Sequence, residues 1–590
     1  MADRVVAAEE GAAPVGAASG QPPRSRRGLR TTGLVILVAG LLGVLEVWGN
    51  IGYGYTAGWG DHFVLSPQGL RWVHPEAFEN DWFLAAAPQP HWFFDALTAL
   101  SERSGLLSAA YALFWMAGLV AFAAATVLLA GRFAPGARWQ VAVGVTLVAA
   151  VTPWMIGGTG SPVIAVAIPA VLSANLIYLL IAAFLTQRLV VVAVLAPLIA
   201  IVHVQQGSIA IVLVASMLTV DAVRRRRIDV RLAAALGLTI GFVVLGLSLR
   251  PVAANLGDFV EICDRIIPYH CAAHLWPIWD VMATVGLVVL CALSALLMRR
   301  PERWRWFATA GLAALGYTGG FLSDALRIPV LGEIAQGVNV YRLAAVLLPF
   351  AVWGAFVPLL VRLPARRMIV LIAIWGAAWV LLLATPSWAG TLLRREVLLT
   401  TSLLLPLIWH LWRTWRRGRA RGAGSPGGPA LLAGVLVVAS VASYGGLSVR
   451  GVDFTFVRDA GLREWGSHVR EIVPAGEVLV ASPRSEWVKL VTQRAVIADC
   501  KNVPYGGPAW DEWQRRLDAL AGWEQCVAPG PLLYDALPAD ALADVADEYG
   551  SEFIVVNRGQ DAQIAGLKRL GWAEVLAPVG GSGAHVLHRE

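Results

Sequence analysis

Repeated runs of about twenty apolar residues constrain this chain more than any other feature, because a helix of that length matches the hydrocarbon core of a membrane. The 590 residues are 57% hydrophobic and 15% charged, which is more apolar surface than a soluble core needs. We predict a polytopic α-helical membrane protein of about 11–13 transmembrane helices, followed by a C-terminal extracytoplasmic α/β domain. The assigned spans are 31–50, 107–130, 139–156, 163–186, 189–203, 207–222, 231–249, 277–298, 304–322, 339–361, 368–385, 397–412 and 430–448.

The arginines set the predicted orientation, since short basic clusters between spans are typical of cytoplasmic loops. The same clustering argues against nucleic-acid binding, although the net charge is +7. With the amino terminus inside, residues 1–30 form a disordered cytoplasmic tail, 31–448 the transmembrane domain and 449–590 an outer domain. The Ala/Arg/Gly-rich composition favours the plasma (inner) membrane of a bacterium. The clusters are residues 24–30, 224–227, 299–305, 362–367 and 413–421.

One pair of predicted spans, 189–203 and 207–222, is short and encloses the polar sequence from His203 to Gly207. Polar groups at membrane depth must be buried in protein or face water. The pair could cross fully or be re-entrant. Broken helices often mark midplane sites in transporters, so a secondary transporter with a site near His203 is one alternative function.

The C-terminal residues have the composition of a soluble domain. Short apolar runs at 477–480, 495–498 and 553–556 predict buried strands. Strands alternating with helices predict a small α/β domain with a mostly parallel sheet. The predicted helices are 458–472, 508–524, 538–549 and 561–570.

Four of the five cysteines lie on the predicted outer side. Cys263 and Cys271 share a loop, Cys500 and Cys526 share the C-terminal domain, and Cys291 lies inside a span. An oxidising exterior permits disulfides, so either two outer pairs or free thiols fit the sequence. None of the cysteine spacings resembles a metal site.

The first outer loop, 51–106, is long, aromatic and acidic. Most loops are short, and carboxylates held at a membrane surface are suited to chemistry on a lipid-carried substrate. Asp61 and Asp81 are its candidate catalytic residues, with Glu79 beside them. Asp81 could instead cap a short helix, and Asp61 could be merely solvated.

Other outer loops supply candidate substrate-binding groups. Arg394 and Arg395 lie outside against the positive-inside trend, so they could bind a lipid phosphate or merely touch headgroups. Arg342, His270 and His274 also lie on this side. For the two histidines, a structural role is the simpler interpretation.

Many spans, a long acidic first outer loop and a terminal outer α/β domain together resemble the GT-C superfamily of integral membrane glycosyltransferases. The segment from Trp465 to Leu520 also looks like the terminal domain of bacterial membrane proteins of this kind. The resemblance implies a polyprenyl-phosphate-linked sugar as donor and a cell-envelope acceptor. It also implies an Asp of the first outer loop as general base or acceptor-orienting carboxylate, with Asp81 preferred and Asp61 second.

The resemblance implies an inverting transfer at the outer membrane face, with arginines holding the donor phosphate. The first loop lacks an Asp-x-Asp pair, so a divalent cation is left open as a cofactor. Membrane lipids are the other expected partners. A non-catalytic scaffold whose C-terminal domain binds an envelope partner is the second alternative function.

Overall fold

The structure is a computed structural model, and it describes most but not all of the chain. The described residues are 24–48, 55–135, 138–150, 155–156, 159–160, 166–249, 256–278, 300–344, 453–527 and 532–590, with single positions between 281–292 and 346–353. The predicted spans 368–385, 397–412 and 430–448 lie outside the described residues, as do parts of 277–298 and 339–361. The number of spans therefore stays a prediction.

Long apolar helices form the first half of the chain. Three of the described helices are long and apolar enough to cross a membrane: Leu107–Phe133, Val204–Arg225 and Val230–Leu249. The helices of this half are α1 (Arg24–Trp48), α5 (Leu107–Phe133), α6 (Arg138–Ala150), α7 (Pro169–Leu185), α8 (Leu189–Val202), α9 (Val204–Arg225) and α10 (Val230–Leu249). Helix α1 begins inside the predicted tail, because arginine is a good helix former and extends the apolar segment backwards.

The short pair of predicted spans is a helical hairpin. Helix α8 ends at His203, whose extended backbone turns the chain and whose Nδ1 accepts the Gln206 N–H at 3.4 Å. At the other end, Arg225 Nη2 donates to Gln187 Oε1 at 2.8 Å. His203 therefore lies at one end of the helix bundle and Arg225 at the other.

Basic residues gather at the Arg225 end of the bundle. Arg132 pairs with the buried Glu302, and Arg225 pairs with Asp221 at 2.9 Å. Arg305 interacts electrostatically with Arg132 and Arg225. Among the described residues, basic side chains around 132, 225 and 305 are thus close together at this end. The opposite end, where His203 lies, is called the loop face below.

Short helices occupy the loop face. The first loop forms α2 (His62–Arg71), α3 (Trp82–Ala86) and α4 (Trp92–Arg103), and later loops form α11 (Leu256–Arg265), α12 (Pro268–Cys271), α15 (Leu331–Gly337) and the 3-10 turn Val340–Leu343. Between them, α13 (Arg300–Trp306) and α14 (Leu312–Ala325) flank a π-helical turn at Phe307–Gly311. A two-residue hairpin pairs β1 (Met155–Ile156) with β2 (Thr159–Gly160).

The C-terminal region is an α/β fold, as predicted. Strands β3, β4 and β5 are parallel, which confirms the three predicted strands, and two antiparallel strands extend the sheet in the order β4-β3-β5-β7-β6. The elements are α16 (Ala460–Ile472), β3 (Val478–Val480), α17 (Trp487–Thr492), β4 (Ala495–Val496), α18 (Pro508–Ala519), α19 (Ala539–Tyr549), β5 (Phe553–Val556), α20 (Asp561–Arg569), β6 (Trp572–Leu576) and β7 (His585–Arg589).

The first loop and the C-terminal region share one hydrophobic core. Phe63, Phe78 and Phe83 of the loop are buried with Trp465 and Val488. Two hydrogen bonds also join the loop to the C-terminal region. Trp82 Nε1 donates to Ile497 O at 2.6 Å, and Asn80 Nδ2 donates to Gly476 O at 2.8 Å. The loop is therefore a packed layer between the helices and the sheet.

Both outer cysteine pairs are disulfides, Cys263–Cys271 and Cys500–Cys526, and Cys291 is a buried free thiol. We expect thiol labelling of unfolded, unreduced protein to modify one cysteine per chain, Cys291, and labelling after reduction to modify all five. Intact-mass analysis of the labelled protein gives the number of modified cysteines. Labelling of Cys500 or Cys526 without reduction would contradict the pairing.

Candidate functional site

The polar residues of the loop face meet around an ion pair between Asp61 and Lys501. Asp61 precedes helix α2, and Lys501 follows Cys500 in the C-terminal region. Lys501 Nζ lies 2.8 Å from Asp61 Oδ1, with the side chains 31% and 49% exposed. A carboxylate and an ammonium are thus held together and remain accessible.

Two further basic side chains from other loops lie within electrostatic reach of Asp61. Loss of hydration would raise the pKa of the Asp61 carboxyl, but the charge and hydrogen bond of Lys501 and the fields of His270 and Arg342 outweigh it, so the pKa is lowered. His270 stands in α12, where the Cys263–Cys271 disulfide closes the loop, and its ring packs on Tyr269. The structure therefore brings together three predicted residues, Asp61, His270 and Arg342.

Arg342 is positioned by a buried network that includes His274. Asp324 accepts hydrogen bonds from Tyr341 Oη at 2.9 Å and from the Ala273 N–H, and its Oδ1 lies 2.9 Å from His274 Nδ1. His274 Nε2 also lies 3.6 Å from Asp264 Oδ1, so this histidine is held between two carboxylates. Arg342 Nε is buried, and no side chain or carbonyl in the described part of the chain accepts its N–H. Its guanidinium therefore keeps donor capacity for an anion.

Glu486 is a second carboxylate of the cluster. It precedes helix α17, as Asp61 precedes α2, and the two helices pack side by side. Burial and the charge of Asp499 raise the pKa of Glu486 to about 7, although Lys501 and Arg484 act in the opposite direction. Sequence reasoning missed both Glu486 and Lys501, because neither lies near the first loop in the chain.

Asp81, the residue that the sequence favours as base, has a different environment from Asp61. Its side chain is fully buried; Oδ1 accepts the Leu84 N–H at 2.9 Å, and Oδ2 lies 3.1 Å from Lys489 Nζ. Lys489 is itself buried and also faces Asp499 at 3.5 Å. An acceptor does not reach such a carboxylate. Asp81 caps α3 and joins the first loop to the C-terminal region, so Asp61 is the candidate base.

The remaining predicted residues lie elsewhere. Glu79 is exposed and approaches Gly476 at the far side of the first loop. Arg394 and Arg395 lie outside the described residues. His203 packs against His91 of the first loop, with ring centroids 4.8 Å apart, and interacts electrostatically with Arg342. It therefore belongs to the loop face, which gives no support to a separate midplane site.

Lysine supplies the positive charge next to Asp61. Lys501 Nζ lies 2.8 Å from Asp61 Oδ1, so this carboxylate already has an ammonium partner. No group of three histidine, cysteine or carboxylate residues within the described ranges could hold a metal ion. The positive charge at this site comes from lysine, arginine and histidine.

Comparisons with known proteins give one family and several structures. A domain of unknown function, DUF6798, matches residues 460–520, the segment that contains Glu486, Lys489 and Lys501. The curated proteins gave no match. Among solved structures, ArnT from Cupriavidus metallidurans bound to undecaprenyl phosphate is 14% identical, covering 96% of this chain and 98% of that one, with a TM-score of 0.47. Its apo form is 13% identical over 95% and 98%, with a TM-score of 0.44.

Likeness at these values is too low to carry the function of ArnT to this chain.

Proposed function

We propose that the chain transfers a sugar from a polyprenyl-phosphate donor to a cell-envelope acceptor at the outer face of a bacterial inner membrane. One observation supports this proposal above the others. An accessible carboxylate, Asp61, pairs with Lys501 and lies within electrostatic reach of two further basic side chains, His270 and Arg342. A transferase of this kind needs one anionic group for the acceptor and several cationic groups for the donor phosphate.

In the proposed reaction, Asp61 accepts the proton of an acceptor hydroxyl as its oxygen attacks the anomeric carbon of the sugar. The bond between that carbon and the phosphate oxygen breaks, and the polyprenyl phosphate leaves with the electron pair. Lys501 and Arg342 stabilise the charge on the departing phosphate. Attack opposite to the leaving group inverts the anomeric configuration.

The aromatic side chains of the loop face provide walls for such a substrate. Tyr269 and Trp59 are each about half exposed beside the cluster residues His270 and Asp61. Exposed aromatic rings at this level can face either a sugar ring or lipid. The donor would therefore approach from the membrane, with its phosphate at the basic groups.

The direct test incubates the purified full chain with radiolabelled polyprenyl-phosphate sugars and a cell-envelope extract. We expect label to move from the donor lipid to an envelope component, and to do so in the presence of EDTA, since the basic side chains supply the positive charge. Absence of transfer with all common donors would favour the scaffold alternative.

Glu486 predicts how donor binding depends on pH. With its pKa raised to about 7, this carboxyl is neutral below pH 7 and ionised above it. The ionised form competes with the donor phosphate for Lys501, so we expect the KM for the donor to rise between pH 6 and pH 8. The Glu486→Gln variant should keep a low KM and lose most of this rise. An unchanged KM–pH profile in the variant would exclude Glu486 as the group responsible.

A further inference from the structure

A charged cavity lies at the far ends of the two helices that follow Asp61 and Glu486. Its volume is about 500 Å³, and its walls include Leu70 near the end of α2 and Val491 near the end of α17. At 1.5 Å per residue, Leu70 is about 13 Å along the helix from Asp61. The cavity is thus separate from the Asp61 cluster.

The cavity lies at the level of the membrane surface. Leu107, one of its lining residues, is the first residue of the 27-residue apolar helix α5. The apolar side chains of Leu100 and Leu106, just before this helix, are 71% and 58% exposed. Such exposed leucines beside a span are suited to contact with lipid. A ligand entering from the membrane would meet the cavity at headgroup depth.

The charged side chains of the cavity are balanced. Two arginines, Arg463 and Arg470, line the cavity together with two carboxylates, Glu102 and Glu464, and Glu102 Oε1 also lies 3.4 Å from His74 Nε2. Arg463 Nη1 donates to two backbone carbonyls, and Arg470 donates to Val491 O and to Ser467 Oγ. Within the described segments neither arginine forms an ion pair. Their guanidiniums are therefore fixed in place by carbonyl and hydroxyl groups but not neutralised.

The equal numbers of arginines and carboxylates indicate which class of ligand the cavity can bind. A phosphate alone would satisfy the arginines and leave the carboxylates facing an anion. A phosphodiester joined to a primary ammonium satisfies both, because guanidinium groups donate to phosphate and carboxylates accept from ammonium. The apolar lining residues Leu70, Leu107 and Phe456 suit the glycerol and upper acyl carbons.

We propose that this cavity binds the headgroup of a phosphatidylethanolamine molecule, with its phosphate at Arg463 and Arg470 and its ammonium at Glu102. The site is independent of the proposed transfer reaction. A lipid bound there touches the first loop, helix α5 and the C-terminal region at once. It would hold these three parts together at the membrane surface.

Native mass spectrometry of the purified full chain tests this site. Dioleoylphosphatidylethanolamine should bind at least fivefold more tightly than dioleoylphosphatidylglycerol, and Arg463→Gln should weaken it about tenfold, the effect of one charge-assisted hydrogen bond. The matched control is Arg458→Gln, because Arg458 is a half-exposed arginine of the same segment that does not line the cavity. This control should bind lipid as the wild type does.

Glu102→Gln is the second variant, and it should weaken phosphatidylethanolamine without weakening phosphatidylglycerol. If Arg463→Gln lowers the unfolding temperature, its weaker lipid binding could come from a loss of folding. Glu102→Gln is then the variant that tests the site. Equal binding of the two lipids, or equal effects of Arg463→Gln and Arg458→Gln, would overturn the proposal. Displacement of the lipid by millimolar inorganic phosphate would also overturn it, because the cavity would then be a site for small anions.

Discussion

Asp61→Asn should lower the rate of sugar transfer about 10²- to 10⁴-fold, the range that a positioned general base contributes. The amide keeps the size of the carboxylate but takes up no proton at neutral pH. Because Asp61 is half exposed and its ion pair lies at the surface of the cluster, the fold should be retained. The initial rate of label transfer measures the effect, and the thermal unfolding temperature should change little.

Asp229→Asn is the matched control for this substitution. Asp229 also pairs with a cation, Arg231 at 2.7 Å, but it lies at the opposite end of the helices. Its variant should transfer sugar at the wild-type rate. Equal activity of Asp61→Asn and Asp229→Asn would exclude Asp61 as the base.

Lys489→Met should destabilise the protein by about 3–5 kcal/mol, the cost of leaving a buried charge without its partner. Lys489 lies between Asp81 and Asp499, and all three side chains are at most 3% exposed. Burial alone would lower the pKa of Lys489, but the two carboxylates raise it, so the ammonium is charged in the folded state. Methionine fills the same space while leaving two carboxylates to face each other.

Hydrogen exchange of the full chain shows which segments lose stability in the Lys489→Met variant. Faster exchange is expected in peptides from the first loop and from α17, since Lys489 joins these two segments. Lys568→Met is the control, because Lys568 pairs with Glu574 at an exposed position and such pairs contribute at most about 1 kcal/mol. If the two variants show the same hydrogen-exchange rates, the buried group of Asp81, Lys489 and Asp499 does not hold the first loop to the C-terminal region.

The alternation of apolar strands and helices was sufficient to predict the C-terminal α/β fold. Strands β3, β4 and β5 are short and apolar throughout, which is typical of buried parallel strands. Strands β6 and β7 were missed because polar residues such as Glu574, His585 and His588 interrupt their apolar pattern. They form the antiparallel side of the sheet, where one strand face stays partly exposed.

The candidate site was only partly predictable. Asp61, His270 and Arg342 are the predicted residues that meet, since topology alone places them on one face. Asp81 was preferred because the sequence Glu79-Asn80-Asp81 lies close before the second predicted span, and the sequence around it gives no sign that its partner is 408 residues away. One feature of the sequence could have pointed to the partners of these aspartates. The chain has only three lysines, Lys489, Lys501 and Lys568, and all lie in the C-terminal region.

Two of these lysines pair with aspartates of the first loop, Lys489 with Asp81 and Lys501 with Asp61. One pair is buried and structural, and the other is accessible. The difference between them depends on burial, which local sequence does not encode. A carboxylate that looks well placed in a loop is therefore a candidate until its surroundings are known.

Photocross-linking with an undecaprenyl phosphate analogue, carrying a diazirine on the isoprene unit next to the phosphate, tests the central claim most directly. We expect labelled peptides from residues 261–275 and 499–507, with labelling strongly reduced in Lys501→Gln and unchanged in Lys568→Gln. Equal labelling of the two variants, or labelling confined to the membrane helices, would contradict a phosphate site at Asp61 and Lys501.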